Sequence, residues 1–418
     1  MKTDLIIINA NELLPMNSNG KPVSGRSLNE LKIIENGAIA VKDGKIIAVD
    51  TTDNILKDFE LNDSEQVIDA KGKTVIPGFV DCHTHLVFAG TRENEFVQRI
   101  EKQRNTKNVM MGSGIQYTVS HTRKAEKEQL IQLAKKRLKR MLSQGITYIE
   151  AKSGYGLDLE NELKILEVHH ALKSLQDIEI ESTFLGAHSI PQGYNSKEYT
   201  EIVINEMIPY VAKTGLARFC DVFCEEGFFS KEQSEKILNK AKESGMLLKL
   251  HADQLTNTYG AELAAKVGAV SADHLDYAYE DGLRAMAQKG VVGVLLPTIS
   301  FVLDLNYPDA RNMMEMGLPI AISTDFNPGA GHSESMSFVI TTACLKLKML
   351  PIEAIASATI NAAYACGIGH KVGSLEVGKQ ADILIMDAPN HKYIPYHYGI
   401  NLVESVVKKG KVVHQNHL

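Results

Sequence analysis

Three things are scarce in this sequence, and each scarcity excludes something. Cysteine comes first: 418 residues contain five, Cys82, Cys220, Cys224, Cys344 and Cys366, with no C-x-x-C pair among them. An odd count without that spacing argues against a disulfide framework or a structural zinc cluster, and leaves reduced, buried thiols of a cytosolic chain as the plain reading. Positive charge is the second. With 45 basic against 51 acidic residues the net charge is -6, which offers no basic face to nucleic acid and no attraction to an anionic membrane. Long apolar runs are the third: none approaches the roughly 18 residues that span a bilayer. The opening "MKTDLIIINANELL" carries four apolar residues in a row, too few for a secretory signal. The expected setting is the cytoplasm and the expected partner a small molecule, with neither nucleic acid nor membrane involved.

What is present is a core, since 44% of the residues are hydrophobic. Its texture changes along the chain. The first 73 residues read as short strands, with "GAIAVKDGKIIAV" turning at Asp43-Gly44, a hairpin signal. The last 45 repeat that texture in "ADILIMDA" and "VESVVKKGKVVHQ", the latter turning at Lys409-Gly410. The two ends, 1–73 and 374–418, are expected to pair as one small β-sandwich domain around a larger unit, 74–373.

Within that unit, apolar runs alternate with helical periods, the pattern of βα repeats around a parallel sheet. The runs cover 75–85, 147–152, 178–188, 220–226, 247–253, 269–274, 291–297 and 319–325. One intervening helix is plain: Leu130, Leu133, Ala134, Leu138, Met141 and Leu142 form an apolar stripe, and Gly145 supplies the stop. Eight such repeats predict an α/β fold of the (β/α)8 TIM-like barrel type, with its active site at the C-terminal ends of the strands. An open doubly wound sheet is the alternative, but neither G-x-G-x-x-G after the first strand nor a Walker loop is present.

The ends of the runs carry the chemistry. His83 and His85 close the first, His188 the third, His251 the fifth, His274 the sixth and Asp325 the eighth. Period-two alternation points His83 and His85 to the same side. At a barrel mouth, two imidazoles on one strand, a third from across the barrel and a carboxylate from the last strand surround one ion and leave a position open for water. A lone strand-end histidine is more often fixed by a hydrogen bond than by a metal, and His121, His169, His170, His370, His391, His414 and His417 are read as surface or hydrogen-bonded residues.

The motifs "PGFVDCHTH", the histidine of "KLHAD", "SADH" and "STDFNPG", in this order, resemble the amidohydrolase superfamily of metal-dependent hydrolases. Within it, "FAGTRENEF", "EAKSGYGL", "HADQL", "DFNPG", "NAAYACG" and "YIPYHYGIN" are similar to the imidazolonepropionase family, nearly end to end. That resemblance implies hydrolysis of the cyclic amide of 4-imidazolone-5-propanoate to N-formimidoyl-L-glutamate in histidine degradation, by attack of metal-activated hydroxide on the ring carbonyl. It implies a metal held by His83, His85, His251 and Asp325. One divalent or trivalent ion per chain is expected, zinc by preference and iron by compatibility with the donors. The lysine that bridges two metals in related enzymes has no counterpart in "CDVFCEEG"; Lys152 stands elsewhere and is read as structural or substrate-facing.

Asp325 is expected as ligand and base, with His274 as proton carrier and His251 beside them. The resemblance puts Arg92, Tyr155 and His188 against substrate, and Asn327, Gly329 and Ala330 against product. Alanine at 330 replaces a usual hydroxyl residue and leaves only backbone to contribute. Gln254 stands where related deaminases place a glutamate, and an amide binds but does not transfer protons. A related deaminase or another cyclic amidase is the competing reading, and a homodimer is the expected assembly. The glycine-containing stretch 90–123 is a candidate for closure over substrate.

Overall fold

The computed structural model describes residues 3–28, 30–59, 66–103 and 112–416. His417, and the middle of the stretch expected to close over substrate, 104–111, lie outside the described residues. On either side of that middle stand α1 (Glu93–Gln103) and α2 (Gly112–Lys124).

The chain ends build one mixed sheet. Its strands are β1 (Leu5–Leu13), β2 (Ile34–Lys42), β3 (Lys45–Thr51), β4 (Gln66–Asp69) and β5 (Thr74–Pro77). From the C-terminal end come β14 (Ile383–Met386), β15 (Val403–Lys408) and β16 (Lys411–Gln415), and the order is β16-β15-β14-β5-β1-β2-β3, with β4 on β1. Both hairpin signals hold. Asp43 and Gly44 (φ 50° and 72°) and Lys409 and Gly410 (φ 50° and 76°) are consecutive left-handed pairs, the backbone of a two-residue turn that matches strand twist. A single apolar cluster takes Ile46 from β3 and Val407 from β15, near opposite edges, so the sheet curls over its own core.

The expected first barrel run divides at Gly78. Thr74–Pro77 pairs with β14 and β1 in the mixed sheet, and only the residues from Phe79 onward enter the barrel. A Cβ at Gly78 would lie 2.3 Å from Thr147 Oγ1, so glycine lets the chain cross there.

Eight parallel strands follow in consecutive order: β6 (Phe79–Thr84), β7 (Ile146–Lys152), β8 (Glu179–Ala187), β9 (Phe219–Cys224), β10 (Leu247–Ala252), β11 (Ser271–His274), β12 (Val292–Leu295) and β13 (Ile320–Ile322). The seam between β13 and β6 closes mainly through side chains. Asp81 accepts from Ser323 Oγ, from Thr324 Oγ1 (2.6 Å) and from the Thr324 N–H (3.0 Å), and the His85 N–H donates to Phe326 O (2.8 Å). The residues that close the barrel therefore flank the ones expected to do its chemistry.

The stripe expected between Leu130 and Leu142 is α3 (Lys127–Ser143), and it buries Leu130, Ala134, Leu138 and Met141. It also buries Arg137, whose guanidinium lies 3.5 Å over the Phe88 ring and donates to Leu86 O and Phe88 O. This arginine clamps the chain just after His85. Among the described residues no helix is long and apolar enough to cross a membrane.

Candidate metal centre and active site

A barrel interior is usually filled with aliphatic side chains; here one layer is ionic. Alternation along the strands carries Glu150 and Lys152 of β7, Asp221 of β9, Lys249 of β10 and Asp273 of β11 inward, and all five are fully buried. Lys152 Nζ donates to Glu150 (2.7 Å), Asp221 (2.7 Å) and Asp273 (3.2 Å), and Lys249 Nζ to the other oxygen of Glu150 (2.8 Å). Ser271 Oγ ties off the remaining oxygen of Asp273 at 2.8 Å. Burial alone would discharge these groups. Burial opposes charge on Lys152, yet Asp221, Glu150 and Asp273 hold its pKa well above the ordinary lysine value. Burial likewise opposes charge on Asp221, and His251 and Lys152 outweigh it, so that carboxyl titrates far below its usual range.

The histidines stand on this layer. His83 Nδ1 lies 2.7 Å from Asp273 Oδ2, and His251 Nδ1 lies 3.1 Å from Asp221 Oδ1. An ionised carboxylate on Nδ1 fixes the proton there and presents Nε2 as a lone-pair donor. The buried Nε2 atoms of His83 and His251 have no hydrogen-bond partner among the described residues. Ligand atoms of His83, His85 and His251 all lie within 4.8 Å of one another, as do those of His83, His274 and Asp325. Asp325 Oδ1 is 3.5 Å from His83 Nε2 and 3.6 Å from His85 Nε2. Burial, the leading cause in each case, pushes the imidazoles of His83, His85 and His274 well below the ordinary histidine value, and for His83 and His85 the neutral ring is the form a metal ligand needs. Orphaned, converging, neutral nitrogens beside a carboxylate fit a metal ion.

His274 breaks the alternation. Asp273 already points inward, so a regular strand would send His274 out, but its φ of 80°, followed by 64° at Leu275, turns it back to line the same pocket. Asp325 is also left-handed at φ 46°. Non-glycine residues held there store strain of about 1–3 kcal/mol each, which is typical of functional sites. Burial raises the Asp325 carboxyl to about 7.

Above the histidines opens a pocket. Arg92, Tyr155, His188 and Gln254 line it with His85, His251, His274 and Asp325, as do Asn327, Gly329 and Ala330; His83 sits behind them. His188 stacks on His85 (centroids 4.8 Å, 17°) and its Nδ1 lies 3.0 Å from Gly154 O. Gly154 has φ 107°, and a Cβ there would lie 2.9 Å from the His188 ring, so glycine is required. Tyr155 is buried beside both rings, and burial raises its phenol so that it stays protonated.

The loop after β13 uses its polar groups on itself. Asn327 Oδ1 accepts from the N–H groups of Gly329 (2.8 Å) and Ala330 (2.9 Å), and Asn327 Nδ2 donates to Asp325 Oδ1 (3.0 Å). The Ala330 backbone donor, expected to face a ligand, is already engaged, and Asn327 instead steadies Asp325. Arg92 is engaged too: its Nε and Nη2 fork onto both oxygens of Glu95 at 2.8 and 2.7 Å.

Other expectations resolve unevenly. Lys152 is structural, as the ionic layer shows. His391, His121 and His414 have hydrogen-bond partners in Glu12, Tyr117 and Asn416, and His170 and His370 are exposed. His169 is neither: it is fully buried on the core face of its helix, and neither ring nitrogen has a partner among the described residues. Sequence reasoning missed Asp221, Asp273, Glu150 and Lys249, although Lys249-x-His251 and Glu150-x-Lys152 carry the inward spacing. It also missed Glu95 and Arg99, which share a helical face with Arg92 at spacings of three and seven.

Residues 74–413 match the amidohydrolase family. An imidazolonepropionase from Alkaliphilus oremlandii is 46% identical over 416 residues, covering 99% of this chain and 98% of the relative. That from Geobacillus kaustophilus is 46% identical over 413 residues, with 98% and 97% covered. Among solved structures, a 5-methylcytosine deaminase from Klebsiella pneumoniae liganded with 5-fluorocytosine superposes with a TM-score of 0.74 at 18% identity, covering 99% of this chain and 98% of that one. A zinc-bound adenosine deaminase from Xanthomonas campestris gives 0.70 at 19%, with 98% and 92% covered. At such identities the structural likenesses speak for the barrel alone.

Proposed function

The chain belongs to the amidohydrolase family and groups there with the imidazolonepropionases, and on that footing we propose that it hydrolyses the cyclic amide of 4-imidazolone-5-propanoate to N-formimidoyl-L-glutamate in histidine degradation. The observation that carries this reading is the pair of unpartnered Nε2 atoms of His83 and His251, which converge with His85, while Asp325 lies 3.5 Å from the first of them, in a site whose pocket wall carries Arg92. His83, His85, His251 and Asp325 would hold one ion, zinc by preference and iron as the alternative. Bound there, a divalent cation makes water nucleophilic near neutral pH and polarises a carbonyl.

The remaining roles belong to the chain. Asp325, at the end of the last barrel strand beside His83 and His85, would accept a proton from the attacking water. His274, whose buried Nδ1 has no partner among the described residues, carries that proton toward the ring nitrogen released when the amide C–N bond breaks. Arg92 receives the propanoate carboxylate. Tyr155, His188 and Gln254 bind the ring edge, with Gln254 binding and not transferring protons. Asn327, Gly329 and Ala330 form the product-side loop.

The same reading treats 74–373 as the catalytic unit and 1–73 with 374–418 as its companion; what supports the union of the two ends is the Ile46 N–H donating to Lys379 O and the Ala381 N–H to Gly44 O, both at 2.9 Å, while Thr74–Pro77 of the larger unit joins the same sheet. It sets the protein in the cytoplasm as a homodimer, with exposed Tyr396 and Tyr398 (77% and 71%) as a contact face.

The test follows loss of imidazolone absorbance with purified protein as isolated, after chelation, and after restoring zinc or iron. Activity lost on chelation and regained with metal supports the proposal. Undiminished hydrolysis by metal-free protein, or turnover of an aminated heterocycle in preference to imidazolone propanoate, overturns it.

A further inference from the structure

The carboxylate end of the pocket already contains a carboxylate. Arg92 immediately precedes α1, its carbonyl accepting from the Phe96 N–H, and Glu95 and Arg99 follow one turn apart on one face of that helix. Arg92 gives both arms of its fork to Glu95, the geometry an incoming carboxylate would need. The pair is confined. A Cβ at Gly114 of α2 would lie 1.9 Å from Arg92 Nη2 and 2.1 Å from Glu95 Oε2, and one at Gly329 would lie 2.8 Å from Arg92 Nη1. Two glycines thus let backbone press on the guanidinium from two sides, while Arg92 still faces the pocket through which a ligand would come to it.

A second cation stands beside the first. Arg99 is 7% exposed, its Nη2 donates to Gly329 O at 2.6 Å, and its buried Nε has no partner among the described residues. Glu95 Oε1 is 3.9 Å from Arg99 Nη2, just beyond hydrogen-bond range, and Glu95 is the more exposed of the two acid–base partners at 26%. Two arginines thus share one internal carboxylate, which leaves one positive charge over in a partly dehydrated site. A buried guanidinium with an unused donor is costly unless it gains a partner in some state of the protein.

We propose that Glu95 is a placeholder: it occupies the substrate carboxylate's seat on Arg92 and transfers to Arg99 when a monoanionic carboxylate arrives. In the occupied state each arginine holds one carboxylate and Arg99 Nε gains its partner. Arg99 stays anchored on Gly329, whose N–H is tied through Asn327 to Asp325, so the movement is confined to the Glu95 side chain. The consequence is selection. Neutral ring compounds do not displace Glu95, and a carboxylate must compete with it, which sets affinity below what the bare pair of arginines would give. This rests on the reading that Arg92 receives the substrate's carboxylate.

The probe is propanoate, titrated calorimetrically into metal-loaded protein, with KM for imidazolone propanoate measured alongside. Glu95→Gln keeps the shape and removes the charge, so the placeholder is weakened; propanoate should bind roughly tenfold more tightly, the step that about 1.4 kcal/mol of relieved competition produces, and KM should fall with it. Glu95→Ala should shift both in the same direction, which guards against an effect of the amide itself. Weaker propanoate binding, or none of either change, would make Glu95 a fixed strut for Arg92 and overturn the proposal. Arg92→Met separates the two readings. If it leaves propanoate binding intact, the role given to Arg92 fails; if it abolishes binding while Glu95→Gln gives no tightening, only the placeholder fails.

Discussion

His83 rests on Asp273: its Nδ1 lies 2.7 Å from Oδ2, both side chains are fully buried, and that same oxygen is 3.2 Å from Lys152 Nζ. The carboxylate therefore sets the tautomer of a proposed ligand while being held ionised from behind. Asp273→Asn keeps the shape but removes the charge that favours a proton on Nδ1. Metal affinity should drop about 10- to 100-fold, read by competition with a chelator. Unchanged affinity would mean that the ionic layer supports the barrel without tuning the centre.

Metal uptake should depend on pH with a definite sign. Burial raises Asp325 to about 7, so below that value the metal-free site holds a proton that an entering cation must expel. His83 and His85, pushed down, hold none in this range. Affinity should fall about tenfold for each pH unit below 7 and level off above it, with close to one proton released per ion at pH 6 in a weakly buffered titration. A flat profile between pH 6 and 8 would remove Asp325 from the ligand set.

How far the sequence foretold this site follows from what each residue needed. His83, His85, His188, His251 and Asp325 were legible because strand alternation and the end of an apolar run locate a side chain without further information. The ionic layer was not, since Asp221 and Lys249 lie inside runs whose neighbours are apolar, and nothing local says that a buried charge will find a partner on another strand. His274 was foreseen for an incomplete reason: the run end marked it, but the left-handed turn that brings it in beside Asp273 is a tertiary effect. The break at Gly78 was hidden because "TVIPGFV" is continuous in hydrophobicity while the chain changes sheet within it. Glu95 and Arg99 needed the helix to be recognised before their spacing meant anything.

Arg92→Ala should raise KM far more than it lowers kcat, because it removes binding common to ground and transition states. A charge-assisted pair contributes about 2–3 kcal/mol, hence roughly 30- to 150-fold in KM. Gly114→Ala should act similarly without touching a charge, since its Cβ would lie 1.9 Å from Arg92 Nη2. Equal losses in kcat and kcat/KM would place Arg92 at the reacting atoms instead.

Gln254 lines the pocket with 6% of its surface exposed. Gln254→Glu should retain most of kcat while the pH profile changes, because the new carboxyl titrates beside the ring without being needed for proton transfer. Steady-state rates from pH 5.5 to 9 decide this. A new deaminase activity in the variant would show that position 254 selects the reaction.

His169 gives a test that is independent of the site. It lies on the helix Leu159–Leu172 with Ile165, Leu166 and Leu172 on the buried face, and burial lowers its imidazole to about 3. Near pH 8 the ring is neutral whether the chain is folded or not, and contributes no pH-linked term. As the pH falls below the ordinary histidine value of about 6.5, the unfolded ring takes up a proton that the folded one refuses, and stability is lost down to about 3. At pH 5 the loss amounts to about 2 kcal/mol, from roughly 1.5 pH units at 1.36 kcal/mol each. His169→Met fills similar space without titrating, so its stability relative to the parent should improve by about that amount between pH 8 and pH 5. The other buried histidines titrate in both proteins and cancel in the difference. Chemical denaturation of the two at both pH values measures it, and an equal difference at pH 8 and pH 5 would mean that the ring meets water or a partner in the folded chain.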